Sequence, residues 1–253
     1  MGFLHEGHLS LIRRARGECE TVVVSLFVNP RQFGTGEDLD SYPRDEQRDA
    51  RLAAEAGADV LFAPSMGEVY PQGYATTVEV AGLTDVMCGA ARPGHFAGVT
   101  TVVTKLFNMV EPEVAYFGQK DAQQAVVIRK LARDLDMPVR VEICPTVRDA
   151  DGLALSSRNA YLSADERERA LGLSRALRAA EDAVDAGRIT ADDVLAAAGE
   201  QLAQAGLAPE YLELRSAKDL TPVERVNGST LLAVAARVGR ARLIDNTILT
   251  GDP

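Results

Sequence analysis

Two of the chain's three histidines stand near its start, in the sequence His5-Glu6-Gly7-His8. An amphipathic run follows them and predicts a helix over residues 7 to about 18, with His5 in the turn that leads into it. Residues three apart share a helix face, so both imidazoles can reach one point beyond the helix N-terminus. Free backbone N–H groups and the helix dipole favour an anion there. The pattern predicts phosphate chemistry, although paired histidines at a helix start also fit a plain solvated surface.

Composition narrows the classes of protein that the chain can belong to. With 253 residues, 46% hydrophobic and 25% charged, it can build the core of one large domain or two smaller ones. The net charge of -10 argues against a nucleic-acid or anionic-membrane partner. No membrane-length apolar run or signal peptide is evident. Cys19, Cys88 and Cys144 are scattered, which is typical of reduced thiols in a cytoplasmic protein.

Strand and helix patterns alternate through the first part of the chain. The predicted strands are residues 21–29, 58–63, 78–80, 114–117 and 139–144. The predicted helices after the first are residues 42–56, 98–109 and 121–135, and residues 85–96 form a predicted glycine-rich loop. Residues 21–29 are β-branched and almost uninterrupted, which predicts a strand buried on both faces. This order indicates an α/β fold with a Rossmann-like, doubly wound parallel sheet, whose ligands bind at the carboxyl ends of the strands.

The pattern changes after Pro145. Ser163 and Thr190 each fit a helix N-cap, for helices that run to about residues 185 and 204. Three strand-like runs follow, at residues 210–215, 229–236 and 241–249. We therefore predict a first domain over residues 1–146 and a smaller α+β domain over residues 147–253.

Polar loops follow the predicted strands. The first strand runs into Asn29-Pro30-Arg31-Gln32-Phe33, and residues 114–117 run into Gly118-Gln119-Lys120-Asp121. Lys120 would open a helix, where it could neutralise a phosphate, although a solvated turn fits equally well. Leu155-Ser156-Ser157-Arg158-Asn159 lies in the loop between the domains, and its hydroxyls and guanidinium could bind phosphate oxygens.

Together these segments resemble one family, the pantothenate synthetases or pantoate–β-alanine ligases, within the nucleotidyltransferases that carry a His-x-Gly-His motif. The resemblance runs from Met1 to about Asn246. The more specific matches are Asn29-Pro30-Arg31-Gln32-Phe33, Arg92-Pro93-Gly94-His95-Phe96 and Gly118-Gln119-Lys120-Asp121. Further matches are Asp38-Leu39-Asp40-Ser41-Tyr42-Pro43-Arg44 and Ser156-Ser157-Arg158-Asn159.

The resemblance implies a two-step ligation. Pantoate would attack the α-phosphate of ATP and release pyrophosphate, and the amine of β-alanine would then displace AMP from the pantoyl adenylate. It also implies that Mg²⁺ arrives on the ATP phosphates, that the enzyme is a cytoplasmic homodimer, and that no residue of the chain is a dedicated metal ligand.

The resemblance also implies roles for particular residues. The implied catalytic residues are His5, His8, Lys120, Ser156, Ser157 and Arg158. The implied ATP-binding residues are Met1, His8, Gly118, Gln119, Lys120, Asp121, Val147, Leu155, Ser156, Ser157 and Arg158. The implied pantoate-binding residues are Gln32 and Gln124.

The chain departs from the family pattern at two points, and two other functions also fit the sequence. Cys88 stands where the family usually has Glu, which puts a polar contact there in question. The family also has a few tens of residues before the position of Met1, including a first strand, so we expect the functional protein to extend upstream and the 253-residue form to be loosely packed and weakly active. The other functions are a nucleotidyltransferase with a different acceptor and a nucleotide-binding protein without catalysis.

Overall fold

The computed structural model describes residues 2–251, and the part up to Val147 combines helices with four short strands. The helices of this part are α1 (Glu6–Glu18), α2 (Glu46–Glu55), α3 (Met66–Val69), α4 (Met87–Ala91), α5 (His95–Val110) and α6 (Ala122–Asp134). The strands are β1 (Val23–Ser25), β2 (Val60–Phe62), β3 (Val114–Gly118) and β4 (Arg140–Cys144).

The strands of this part pair in parallel, as the alternating pattern predicts. Strand β1 pairs with β2, with Val23 opposite Val60, and β3 pairs with β4, with Val114 opposite Arg140. Within residues 2–251 the two pairs form separate ladders. Parallel pairs joined by helical crossovers confirm the predicted α/β class.

Helix α1 is held in place by its apolar stripe. Its residues Leu9, Ile12 and Ala15 are buried and pack in one cluster with Val24 of β1 and Ala53 of α2. The spacing of these residues puts them on one face of a helix, which is why the sequence predicts this element well. The helix begins at Glu6, one residue before the predicted start.

Two strand predictions are wrong in part or in whole. Val23 is 37% exposed, so the predicted burial of the first strand on both faces is wrong, and Val60 of its partner β2 is 47% exposed. The side chains alternate along the short strand, and only the face that carries Val24 is covered. The strand predicted over residues 78–80 is absent from the described chain, because Val78 hydrogen-bonds to the Thr100 and Thr101 hydroxyls of α5 instead of to a strand.

Helix α5 lies against a 3₁₀ turn, Pro30–Gln32, that follows β1. A Cβ atom at Gly98 would stand 2.1 Å from the carbonyl oxygen of Arg31, so only glycine lets the backbones come this close. The helix starts at His95, earlier than predicted, and the predicted loop before it contains α4. The backbone of the predicted pantoate-binding residue Gln32 is therefore packed directly against α5.

The remaining elements form a mixed α+β arrangement, as predicted. They are helices α7 (Ala164–Asp185) and α8 (Ala191–Gln204) and strands β5 (Pro209–Ser216), β6 (Gly228–Val238) and β7 (Ala241–Gly251). The strands form an antiparallel sheet in the order β5-β6-β7. Ser163 caps α7 in a capping box with Glu166, and Thr190 caps α8, at the two predicted caps. Leucines, valines and alanines of the helices and the sheet share one core.

Backbone contacts divide the chain into two units. The first runs to Gln119 and resumes at Val127–Val147, and the second contains Lys120–Val126 and everything from Arg148 onward. The predicted boundary after residue 146 would place Lys120–Val126 in the first domain. That segment groups with the second unit, where the Asn246 side chain donates a hydrogen bond to the Lys120 carbonyl at 2.9 Å. No helix within residues 2–251 is long and apolar enough to cross a membrane.

Candidate active site

The two histidines of the opening motif cap helix α1. His5 is the N-cap residue and its Nδ1 accepts a hydrogen bond from the Gly7 N–H at 3.2 Å. His8 returns the contact, because its Nδ1 accepts from the His5 N–H at 3.3 Å. The ring centroids are 4.0 Å apart. The predicted convergence of both imidazoles at the helix start is therefore present, as a reciprocal cap made of two histidines.

This cap decides which ring nitrogen of each histidine carries the proton. A backbone N–H can only donate, so Nδ1 of His5 and Nδ1 of His8 are both acceptors here. In a neutral imidazole the proton then resides on Nε2. Both rings therefore present an Nε2–H donor, and the N-terminus of α1 adds its dipole to the same neighbourhood. Donors of this kind suit the charge of a phosphate.

A buried aspartate on α2 anchors the turn that carries His5. The Asp49 carboxylate is 1% exposed and accepts from the backbone N–H groups of Phe3, at 2.6 Å, and Leu4, at 2.7 Å. Arg48 pairs with the same carboxylate at 3.2 Å, and its guanidinium lies over the Phe3 ring. The sequence analysis missed Asp49. The signal that could have found it is an acid at helical spacing from Leu52 and Ala53, on the apolar face of a predicted helix.

The turn that carries Gln32 is clamped by the Arg-Pro-Gly-His segment. Arg92 donates to the Gln32 carbonyl at 3.1 Å and forms a two-pronged ion pair with Glu37, at 2.7 and 2.5 Å. His95 Nδ1 donates to the same Gln32 carbonyl at 2.8 Å. Burial raises the pKa of the Glu37 carboxyl, but Arg92 and the Gly34 N–H outweigh it and hold that pKa at about 2. The clamp fixes the backbone from which the Gln32 amide projects.

The predicted nucleotide loop follows strand β3. Gly118 is the last residue of β3, and a Cβ atom there would meet nothing within 4 Å, so the backbone is open to a neighbour at this point. Residues Gln119–Asp121 form a 3₁₀ turn, and Gln124 lies in the first turn of α6. Val147 follows β4, which lies beside β3, and is partly buried. Gly118 and Val147 thus follow neighbouring parallel strands at the same edge.

Two predicted phosphate-binding residues meet in the second unit. Lys120 and Ser156 line one small cleft, with Asn159 and Asp245 as its other polar residues. The cleft also has an apolar lining, Leu153, Ala154, Leu173, Leu243 and Ile244. Lys120 and Ser156 are far apart in the sequence, so this meeting is a product of the fold. A lysine and a hydroxyl facing one cleft can bind the oxygens of an anion together.

The Ser156-Ser157-Arg158 loop is an ordered turn. Ser156 caps a 3₁₀ helix, Ser157–Tyr161, and its Oγ accepts from the Arg158 N–H at 3.3 Å. Ser157 is 5% exposed, and Leu155 is partly buried beside it. Asn159 ties the turn back by donating to the Ala154 carbonyl at 3.0 Å. These contacts hold the backbone and the hydroxyl groups of Ser156 and Ser157 in fixed positions.

A partly buried ion pair holds Asp245, one of the residues that line the same cleft. Asp245 is 2% exposed, and its carboxylate accepts two hydrogen bonds from Arg148, at 2.6 and 3.0 Å. Both residues adjoin site segments: Arg148 comes directly after Val147, and Asp245 precedes Asn246, which holds the Lys120 carbonyl. The sequence analysis missed this pair, because nothing local links residues so distant in the chain.

Two further expectations concern single positions, and a third concerns metal ligands. Met1, an implied ATP-binding residue, lies outside the described residues. Cys88, which stands where the family usually has Glu, is 7% exposed and sits in α4. Among residues 2–251, no group of three or more His, Cys, Asp or Glu side chains could hold a metal ion.

Comparison with known proteins agrees with this geometry. The family described as Pantoate-beta-alanine ligase matches residues 1–248. A pantothenate synthetase of Pelotomaculum thermopropionicum is 54% identical over 250 residues, 98% of this chain and 89% of the relative. One from Heliobacterium modesticaldum is 56% identical over the same shares of the two chains.

Solved structures show the same likeness. A crystal structure of pantothenate synthetase from Thermus thermophilus has a TM-score of 0.97 and 49% identity, covering 99% of this chain and 91% of that one. A pantoate-beta-alanine ligase from Francisella tularensis, complexed with beta-gamma ATP and beta-alanine, has a TM-score of 0.80 and 34% identity, covering 98% and 87%. The family match spans nearly the whole chain, and the motif residues occupy the structural positions described above. This chain belongs to the pantoate–β-alanine ligase family.

Proposed function

We propose that the chain condenses pantoate with β-alanine at the expense of ATP, by way of a pantoyl adenylate. The products are pantothenate, AMP and pyrophosphate. The observation that carries the proposal is the reciprocal histidine cap at the N-terminus of α1, in which each Nδ1 accepts a backbone N–H and each Nε2 is therefore the donor nitrogen. Family membership supports the choice of substrates.

In the first step, a pantoate carboxylate oxygen attacks the α-phosphorus of ATP. A new P–O bond forms, the bond to the β-phosphate oxygen breaks, and pyrophosphate leaves with its electron pair. The reaction needs positioned positive charge and donors more than covalent catalysis. His5 and His8 supply neutral N–H donors to phosphate oxygens as the negative charge shifts.

Cations and hydroxyls of the second unit bind the departing phosphates. Lys120 lines the cleft that Ser156 also lines, which supports a shared anion. Ser157 and Arg158 extend the same turn, and the guanidinium can bind two phosphate oxygens at once. A fixed turn of this kind lowers the entropy lost when the triphosphate is bound.

The remaining assignments concern the rest of the nucleotide and pantoate. Gly118 leaves room for the nucleotide, Gln119 follows it, and Asp121 accepts hydrogen bonds from ribose hydroxyls. Val147 and Leu155 contact the nucleotide through backbone and apolar groups. Gln32 and Gln124 hydrogen-bond the hydroxyls and carboxylate of pantoate, for which amide groups are suited.

In the second step, the β-alanine amine attacks the acyl carbon of the adenylate. The C–N bond forms, the bond to the AMP oxygen breaks, and the amine loses a proton. We also propose that Mg²⁺ reaches the site on the ATP oxygens, since hard oxygen ligands suit it. When bound, it would offset the charge of the triphosphate. The predictions of a homodimer and of a cytoplasmic location stay predictions.

An assay of AMP release tests the proposal. AMP should form from ATP only when both pantoate and β-alanine are present, and pantothenate should appear in equal amount. AMP or pyrophosphate formed with another acceptor, and not with pantoate, would support a different nucleotidyltransferase. ATP binding with no AMP under any condition would support a nucleotide-binding protein without catalysis.

A further inference from the structure

The buried side chain of Asn29 is hydrogen-bonded on both sides of its amide. It is 2% exposed, and its Oδ1 accepts from the Arg31 N–H at 3.2 Å and from the Tyr70 hydroxyl at 2.9 Å. Its Nδ2 donates to the Gly98 carbonyl at 3.1 Å. A backbone N–H only donates and a backbone carbonyl only accepts, so these contacts fix which end of the amide is oxygen.

The orientation of the Asn29 amide determines the orientation of the Gln32 amide. The Asn29 Nδ2 also donates to Gln32 Oε1, at 3.3 Å. The Gln32 amide oxygen therefore faces Asn29, and its Nε2 hydrogens lie on the other side of the planar amide. The Gln32 carbonyl is held by Arg92 and His95, and the Gln32 N–H donates to the Asn29 carbonyl at 3.3 Å, so the bond from Asn29 Nδ2 is the one that orients the side chain.

We propose that Tyr70 is a positioning residue for pantoate: its hydroxyl holds Asn29, which turns the Gln32 amide so that N–H donors, not its oxygen, face the substrate. This inference rests on the proposed function and adds the chemistry of the contact. The pantoate atom that meets Gln32 is an oxygen that accepts a hydrogen bond.

The ring of Tyr70 is held independently of its hydroxyl. The Arg31 guanidinium lies 5.0 Å from the Tyr70 ring centroid and 4.9 Å from that of Tyr74, and the two tyrosines meet edge to face at 5.2 Å. Removing only the hydroxyl should therefore leave the ring in place. Burial raises the pKa of Tyr70 to about 12, so the hydroxyl remains a donor across the working pH range.

Tyr74 supplies a matched control. It shares the Arg31 contact and lies 4.9 Å below the Lys105 ammonium. In the part of the chain that the structure describes, its hydroxyl has no hydrogen bond, unlike that of Tyr70. Tyr70→Phe and Tyr74→Phe thus remove the same atom from neighbouring rings, and only the first removes a contact to Asn29.

Steady-state kinetics of AMP release compare the two variants with wild type. Tyr70→Phe should raise the KM for pantoate about fivefold, the effect of about one hydrogen bond, with kcat and the KM for ATP changed less than about twofold. Tyr74→Phe should keep the wild-type values. Equal pantoate KM values for the two variants, or a Tyr70→Phe loss that falls on kcat or ATP instead, would overturn the inference.

A double-variant cycle separates positioning from a general effect on folding. In a Gln32→Ala background the Tyr70→Phe penalty on pantoate should shrink to less than about twofold, because the amide that it orients is gone. A penalty that persists there would show that Tyr70 acts on something other than Gln32, against the proposal. Gln32→Glu, which offers only acceptors, should bind pantoate no better than Gln32→Ala, and tighter binding would refute the donor assignment.

The proposed function and this inference fail in different ways. If wild type releases no pantoate-dependent AMP, the proposed function is wrong and the inference falls with it. If wild type is active and Tyr70→Phe behaves like Tyr74→Phe, the function stands and only the positioning role is wrong.

Discussion

Replacing Asp49 tests how the histidine turn is held. Its carboxylate is 1% exposed and accepts two backbone N–H groups, from Phe3 at 2.6 Å and Leu4 at 2.7 Å. A hydrogen bond to a charged group contributes about 1.5–3 kcal/mol to stability. Asp49→Asn keeps one acceptor oxygen but turns an NH₂ group toward the other N–H. We therefore expect it to lower the free energy of unfolding by about 2–3 kcal/mol, and Asp49→Ala by about 3–5 kcal/mol.

The same substitution should also lower the catalytic rate, because it alters the position of His5. The residues that Asp49 holds directly precede the N-cap, so their release lets the imidazole move, and small misplacements cost large factors in rate. We expect Asp49→Asn to lower kcat at least about tenfold at a temperature where the variant is still folded.

Urea unfolding and AMP release measure both effects. Asp45→Asn is the matched control, because Asp45 caps the same helix through an exposed bond to the Arg48 N–H, at 3.0 Å, and Asn is an equally good cap. The control should stay within about 0.5 kcal/mol of wild type and keep its kcat. If Asp49→Asn matches Asp45→Asn in both measurements, the anchoring role is refuted.

Two further predictions concern the site and the clamp. Lys120→Ala should lower kcat about 100-fold or more with little change in the KM for pantoate, whereas Gln124→Ala should act mainly on that KM; steady-state kinetics check both, and a near-normal kcat would remove Lys120 from the site. Glu37→Gln should lower the free energy of unfolding by about 1–2 kcal/mol at pH 7, allowing for partial exposure. Because the pKa of Glu37 is held at about 2, below its ordinary 4.5, this stabilisation is complete above pH 4.5 and is lost as pH falls toward 2. An equal deficit in urea unfolding at pH 7 and pH 2.5 would contradict that account.

The sequence predicts an element well when its hydrophobic pattern and its capping residues indicate the same bounds. Helix α7 has a Ser163 cap, an acidic first turn and an apolar stripe, and its bounds match the prediction almost to the residue. The short strands are predicted less well, because burial of β1 depends on what covers each face and not on its own β-branched residues. Val78 shows the same limit, since its backbone partners are threonine hydroxyls more than 20 residues away.

The candidate site divides in the same way. The sequence predicts His5, His8 and Lys120 as site residues, because their residue types and their positions beside turns indicate phosphate binding. It does not identify Asp49, and it includes Asn29 in a motif without a role of its own; both roles come from bonds to residues distant in the chain. Sequence motifs indicate which groups could bind ligands, and only the fold identifies the groups that hold them in position.

The most direct test of the account is isotope exchange between pyrophosphate and ATP. If the chain forms a pantoyl adenylate, labelled pyrophosphate should enter ATP when pantoate is present and β-alanine is absent. Lys120→Ala, which lacks the ammonium assigned to the phosphates, should slow this exchange along with overall turnover. Exchange that begins only when β-alanine is added, or that proceeds equally well without pantoate, would contradict the two-step mechanism.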